Sequence, residues 1–151
     1  MTDLDLLARR LEEGKEALLL ALAGVGPEEF VWEDEQGRSL RRLLEGAVDA
    51  LNLHWGRLLA LALGLPPVPC IAPAQFASAR EAVLVLQVAH RRLLNLLHPL
   101  SPEELKREAV TPEGRQVRVV EILAMVAGQY EEWAKEIRFL RQSYAAGGRK
   151  G

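Results

Sequence analysis

The chain of 151 residues has the length of one domain, and 49% hydrophobic with 26% charged residues is typical of a soluble globular protein. Nineteen basic and 21 acidic residues give a net charge of -2 without a basic, aromatic-rich stripe, so nucleic acid is not an expected partner. The single cysteine excludes an intramolecular disulfide. The first fourteen residues contain no apolar signal region, which predicts a cytoplasmic protein. Fifteen arginines against four lysines, with two asparagines, favour a thermophilic source or a GC-rich genome.

Four segments repeat apolar residues at alternating spacings of three and four, the pattern of one buried helix face. They run from about residue 4 to 22, 39 to 61, 78 to 97 and 122 to 140. Ser78 and Glu81 have the spacing of a capping box at the start of the third. No stretch alternates at period two for long enough to predict a sheet. We therefore predict an all-α four-helix bundle over residues 1–144, followed by a flexible tail at 145–151.

Two connections carry clear turn signals between the third and fourth helices. Ser101-Pro102-Glu103-Glu104 predicts a serine-capped helix of one or two turns that ends near Arg107. Thr111-Pro112-Glu113-Gly114 predicts a tight turn just before the final helix.

The connection after the second helix is long and apolar. Residues 58–79 carry no charge, and that length would suffice to cross a bilayer. Gly64 and four prolines within the stretch would break a spanning helix, so no membrane insertion is expected. We expect the connection to cover the open end of the bundle, with a subunit interface or a lid over a site as alternatives.

Two stretches carry a family resemblance. The run 37–46, Gly-Arg-Ser-Leu-Arg-Arg-Leu-Leu-Glu-Gly, has a glycine and a serine before a helix. In the second half, the opening at 100–105, the turn at 111–114 and the long helix from Val120 to Arg141 follow one another. Together they resemble the DinB/YfiT-like family of four-helix-bundle metalloenzymes, over about residues 4–143. The resemblance implies the same bundle, assembled as a homodimer.

The family resemblance implies a divalent-metal site of three histidines, one from the second helix and an i,i+4 pair from the fourth. Carried onto this chain, those positions are Gly46, Gln129 and Trp133. Glycine offers no ligand, tryptophan only an N–H donor, and an amide oxygen is a poor transition-metal ligand. We therefore expect no metal cofactor, with Trp133 filling the former cavity and Gln129 buried beside it as a polar partner; bound zinc or nickel is the alternative.

The resemblance also implies thiol-dependent transferase or isomerase activity, as in the mycothiol-using maleylpyruvate isomerase. The metal would activate the sulfur of the thiol cofactor as a thiolate. A chain without the three histidines lacks the ligands for the metal that activates the thiol. We therefore favour a protein that is not an enzyme.

Three other residues could form a relocated site. His54 and His90 fall on the apolar stripes of the second and third helices, where a histidine is more often a satisfied core residue than a ligand. Cys70 has no basic neighbour in the sequence to lower its thiol pKa, so an inert thiol is expected. His98, at the end of the third helix, suits an interaction with the last carbonyl groups.

Two further pairs have ordinary structural interpretations. Glu45 and Asp49 form an i,i+4 acidic pair beside Gly46, which is more typical of a solvated surface than of a site. Trp32 and Trp55 favour packing over ligand stacking.

Two hypotheses follow from the sequence. The first is a metal-free member of the bundle class that binds a small molecule, or has a structural role, near Gly46, Gln129 and Trp133. The alternative is a thiol-dependent transferase or isomerase with a relocated site around His54 and His90.

Overall fold

The computed structural model describes residues 2–66, 72–97 and 99–148. The helical elements are α1 (Asp3–Ala21), α2 (Pro27–Val31), α3 (Leu40–Asp49), α4 (Gly56–Leu63), α5 (Ala79–Leu97) and α6 (Val119–Ser143). A π-helical segment, Ala50–Trp55, joins α3 to α4 into one long helix, and a 3₁₀ turn spans Glu104–Lys106. The predicted all-α four-helix bundle is confirmed.

The long helices are arranged so that the first two in sequence lie at opposite corners. α1 packs against α5 and α6, and α3 packs against the same two helices. The 18 residues between α1 and α3 are long enough to cross the end of the bundle, and α2 within them packs on α3.

Arg141 near the end of α6 ties this crossing down. Its Nε and Nη2 donate to the two carboxylate oxygens of Glu29 in α2 at 2.9 and 3.2 Å. Its Nη1 donates to the carbonyl oxygens of Ala21 and Ala23 at 3.0 and 2.6 Å. The last turn of α1 has no basic residue of its own. The Arg141 guanidinium instead satisfies carbonyl groups at the end of that helix.

The second long helix is not the regular α-helix that the sequence pattern predicts. Its π-helical segment, which includes His54, has wider turns than an α-helix and so changes the direction of the side chains within and after it. A Cβ at Gly56 would lie 2.9 Å from the carbonyl oxygen of Leu51, so the segment requires glycine there. The rotation turns His54 outward to an exposed position, so the expectation that it lies on the core stripe is wrong.

A short antiparallel hairpin precedes α6, although the sequence predicts no sheet. Strand β1 (Glu108–Val110) pairs with β2 (Gln116–Arg118), with Ala109 opposite Val117. Three-residue strands are too short for an alternation signal. The turn predicted at Thr111 is confirmed, since Gly114 donates from its backbone N–H to the Thr111 carbonyl at 2.9 Å and has a φ of +86°.

The predicted cap at Ser101 is also confirmed. The Glu104 amide donates to the Ser101 hydroxyl at 3.1 Å, and the Ser101 amide donates to the Glu104 carboxylate at 3.0 Å. The short helix ends before Arg107, whose guanidinium donates to the Leu63 carbonyl at the end of α4.

The tail differs in part from its predicted flexibility. Tyr144–Gly148 continues α6 as one π-helical turn, and the Tyr144 ring packs edge-on against Trp32 at 5.7 Å between centroids. The prediction that the whole tail lacks structure is therefore wrong for residues 145–148, whereas 149–151 lie outside the described residues. None of the described helices is long and apolar enough to cross a membrane.

Candidate functional site

The three positions that the family resemblance assigns to metal ligands differ sharply in burial. Gly46 in α3 and Gln129 in α6 are exposed, whereas Trp133 is 8% exposed and belongs to the core. The expectation that Gln129 is buried as a polar partner is therefore wrong. Trp133 packs edge-on against Tyr130, with 5.5 Å between ring centroids.

The donor set at these positions does not fit a transition metal. It offers no side-chain atom at Gly46, an indole that can only donate at Trp133, and a solvent-exposed amide at Gln129. Elsewhere in residues 2–66, 72–97 and 99–148, no group of three histidine, cysteine, aspartate or glutamate side chains could hold an ion.

His90 forms the central polar cluster of the bundle, and it joins three helices. It is 2% exposed on α5. Its Nδ1 lies 2.7 Å from the Tyr130 hydroxyl on α6, and its Nε2 lies 2.8 Å from Glu12 Oε1 on α1. Both bonds suit a neutral imidazole protonated at Nε2: the Tyr130 O–H donates to Nδ1, and Nε2–H donates to the carboxylate.

The cluster reaches solvent only on the α1 side. The Glu12 side chain is 44% exposed and also receives Lys15 Nζ at 3.3 Å, while Tyr130 is fully buried. Burial lowers the pKa of His90, with Glu12 opposing this in part. The hydrogen bond from His90 lowers the pKa of Glu12, and burial raises the pKa of Tyr130. The cluster is therefore a neutral histidine between a carboxylate and a phenol.

The two described histidines of the relocated site have different surroundings. His54 is exposed and packs edge-on against Trp55, whereas both ring nitrogens of His90 are engaged in the core. No hydrogen bond within the described part of the chain joins the two histidines. Cys70 and His98 lie outside the described residues.

Glu45 and Asp49 hold the apolar connection rather than standing free on the surface. Glu45 Oε2 accepts from the Phe76 backbone N–H, and Asp49 Oδ1 accepts from the Ala74 N–H, both at 2.9 Å. Carboxylates at i and i+4 are about 6 Å apart along a helix, close to the spacing of alternate amides in an extended chain. Phe76, 6% exposed, joins the core beneath.

An open cleft of about 490 Å³ lies between the start of α3 and the last turns of α6, and we call it the α3–α6 cleft. Leu43, Phe139 and Leu140 form its apolar walls, and Arg38, Arg42, Lys135 and Glu136 supply its charges. Gly46, Gln129 and Trp133 are not among the residues that line this cleft.

Comparison with known proteins places the fold. No family model matches the chain, and no curated protein matches it. Among solved structures the chain is similar to YfiT from Bacillus subtilis, described as a probable metal-dependent hydrolase with an unusual four-helix bundle topology. The identity is 16%, the match covers 94% of this chain and 87% of YfiT, and the TM-score is 0.74. The protein therefore has the DinB/YfiT-like four-helix-bundle fold, and the hydrolase description belongs to YfiT.

Sequence reasoning missed two members of the His90 cluster. Tyr130 could be suspected only weakly from the sequence, because its helical spacing places it next to the apolar stripe of α6. Glu12 had none, because a carboxylate on an otherwise charged face of α1 is read as solvated. Only the packing of α1 against α5 and α6 identifies it.

Proposed function

We propose that this protein binds a small organic molecule in the α3–α6 cleft and works without a bound metal. The observation that carries the proposal is an apolar-walled cleft with convergent charged groups. Pockets of this size with an apolar lining and a few polar groups are typical of ligand sites.

The wall residue Phe139 supports the cleft as a ligand site. This aromatic side chain is 51% exposed, although burying it would be favourable. An apolar ligand that enters a concave site can bury an exposed aromatic side chain, and this burial favours binding. On a convex surface a small ligand cannot cover the same side chain.

Fragment binding followed by amide chemical shifts tests the ligand site. We expect small aromatic fragments to shift the amides of Leu43 and Phe139, and Phe139→Ala to abolish these shifts. Leu6→Ala, which removes a side chain of equal exposure (51%) from α1, is the matched control and should bind as the wild type does. If fragments shift residues elsewhere, or if both variants bind equally, the α3–α6 cleft is not the site.

Elemental analysis tests metal independence separately. After incubation with zinc, nickel and manganese and extensive dialysis, we expect no stoichiometric ion in the untagged protein. A retained ion would overturn this part of the proposal and would direct attention to His54, His90 and His98.

The homodimer expected from the resemblance remains a proposal. One face of α5 exposes Leu84, Val85 and Val88, and such a face would gain from burial against a second copy. Sedimentation velocity over a range of concentrations should show a dimer that Val88→Asp dissociates; a monomer at all concentrations would contradict it.

The alternative, a thiol-dependent transferase with a relocated site at His54 and His90, has less support. It would need both histidines to act on one substrate, and one is exposed while the other is engaged in the core. Turnover of a thiol with 1-chloro-2,4-dinitrobenzene that is lost in both His54→Gln and His90→Gln would favour it over the binding function.

A further inference from the structure

We infer that two copies of this protein pair through α5 in an antiparallel arrangement, with Glu81 of each copy opposite Arg92 of the other. This arrangement rests on the homodimer of the proposed function and specifies how the two copies are oriented. It follows from a short stripe of exposed residues along α5, whose apolar and charged positions are symmetric about one point.

The stripe consists of four residues at spacings of four, three and four along α5: Glu81, Val85, Val88 and Arg92. With 3.6 residues per turn, these spacings place all four on one side of the helix. All four are exposed, Val85 by 36% and Val88 by 51%. Leu84 beside them is 55% exposed. A second helix laid along the stripe would therefore bury apolar side chains that now face solvent.

The charged residues at the two ends of the stripe are not neutralised within the chain. Among the described residues, Arg92 has no hydrogen-bond or ion-pair partner. Glu81 Oε2 accepts from the Ala77 backbone N–H at 3.2 Å, and this carboxylate has no cationic partner in the same part of the chain. Each charge can therefore pair across an interface without breaking an ion pair of its own copy.

The order of residues along the stripe determines the orientation of the two helices. The midpoint lies between Val85 and Val88, and Glu81 and Arg92 each lie about 8 Å from it along the helix. A two-fold axis through this midpoint makes the helices antiparallel and places Glu81 opposite Arg92 twice in the dimer. A parallel arrangement would place like charges opposite each other at both ends. The charge pattern therefore favours the antiparallel pair.

Two further arginines of α5 lie outside the stripe. Arg80 and Arg91 each precede a charged stripe residue by one position, which places them about 100° away around the helix. Charges at the margin of an interface stay in contact with water, and solvent and salt screen them. They therefore do not decide how the two helices are oriented.

The interface is small, because the stripe covers only about three turns of the 19-residue helix. Interfaces below about 1,200 Å² are typical of weak, transient complexes. We expect a dimer that dissociates on dilution. Its dissociation constant should rise with added salt, because exposed ion pairs contribute to it.

Charge reversal followed by sedimentation velocity tests the orientation. Glu81→Arg and Arg92→Glu each turn both ion pairs of the dimer into contacts between like charges, so each should raise the dissociation constant at least about fivefold. The double variant Glu81→Arg/Arg92→Glu restores opposite charges and should regain the affinity of the wild type. Because Glu81 also accepts a hydrogen bond at the start of α5, Arg92→Glu is the single variant that changes the interface alone.

A mixture of the two single variants provides a second measurement. Glu81→Arg carries only positive charge at the two positions and Arg92→Glu only negative charge, so the mixture should dimerise more tightly than either variant alone. Arg138→Glu, which reverses an exposed arginine on α6, is the matched control and should dimerise as the wild type does.

The outcomes separate this arrangement from the homodimer on which it rests. If the wild type is monomeric at every concentration, both fall. If it dimerises but charge reversal leaves the dissociation constant unchanged, the homodimer stands and the antiparallel arrangement is wrong. If the double variant stays as weak as the single variants, Glu81 and Arg92 do not pair and the arrangement is also wrong.

Discussion

Gly14 of α1 lies directly against the side chain of Tyr130 of α6. A Cβ built at Gly14 would be 2.7 Å from the Tyr130 Cβ and 3.3 Å from its Cγ, distances that packed side chains do not reach. Both residues are buried, and the contact lets the Tyr130 ring pack edge-on against Trp133 while its hydroxyl reaches His90. The approach of these two helices therefore positions the polar cluster in the core.

The first prediction concerns two glycines in helices. Gly14→Ala should lower the free energy of unfolding by about 1 to 3 kcal/mol, because the added methyl group meets atoms near the Tyr130 backbone that cannot rotate away. Gly46→Ala should raise it by up to about 1 kcal/mol, because its Cβ has open space and alanine favours the helix. Urea denaturation of both variants provides the measurement. A Gly14→Ala protein as stable as the wild type would show that α1 and α6 can separate at no cost.

The second prediction concerns pH. Burial lowers the pKa of His90 in the folded protein, so between that lowered value and about 6.5 the unfolded chain binds more protons than the folded one. The free energy of unfolding should therefore fall as the pH drops below about 6.5, by up to about 1.4 kcal/mol for each pH unit. The pKa of Glu12 lies below this window. The stabilisation that its carboxylate provides is therefore lost only at more acidic pH.

Urea denaturation between pH 5.5 and pH 8 measures this slope. His90→Gln should be less stable at every pH and should flatten the slope, because the titrating group is gone. A variant that keeps the slope of the wild type would assign the pH dependence to another residue.

The third prediction concerns the connection over α3. Glu45→Ala should speed hydrogen exchange at the Phe76 amide by at least about tenfold, since the loss of a hydrogen bond to a charged group frees that N–H. Asp49→Ala should do the same at Ala74. Glu132→Ala, an exposed carboxylate on α6, is the control. Equal exchange at Phe76 in the Glu45 and Glu132 variants would contradict the role of Glu45 in holding the connection.

Several local features could be predicted from the sequence because neighbouring residues create them. The cap at Ser101 depends on a hydroxyl and a carboxylate three residues apart, and the turn at Gly114 on a residue that accepts a positive φ. The apolar repeats predicted four long helices because each repeat describes one face of its own helix and so depends only on nearby residues.

The positions predicted for His54 and Gln129 are wrong for two different reasons. The sequence pattern assumes a constant rotation per residue, but the π-helical segment at Ala50–Trp55 breaks it and turns His54 outward. Gln129 fits the repeat of α6 by spacing, yet it falls at the margin of the buried face, where a small difference in helix orientation decides exposure.

The sequence by itself determined the all-α class, the number of long helices and the absence of histidines at the positions that the family resemblance assigns to ligands. Only the tertiary structure decided that α1 lies between α5 and α6, and this placement creates the cluster of Glu12, His90 and Tyr130. It also decided that the ends of α3 and α6 leave a cleft. The reason is physical: helix formation and capping depend on residues within a few positions of each other, whereas contacts between helices depend on long-range packing that a local pattern does not record.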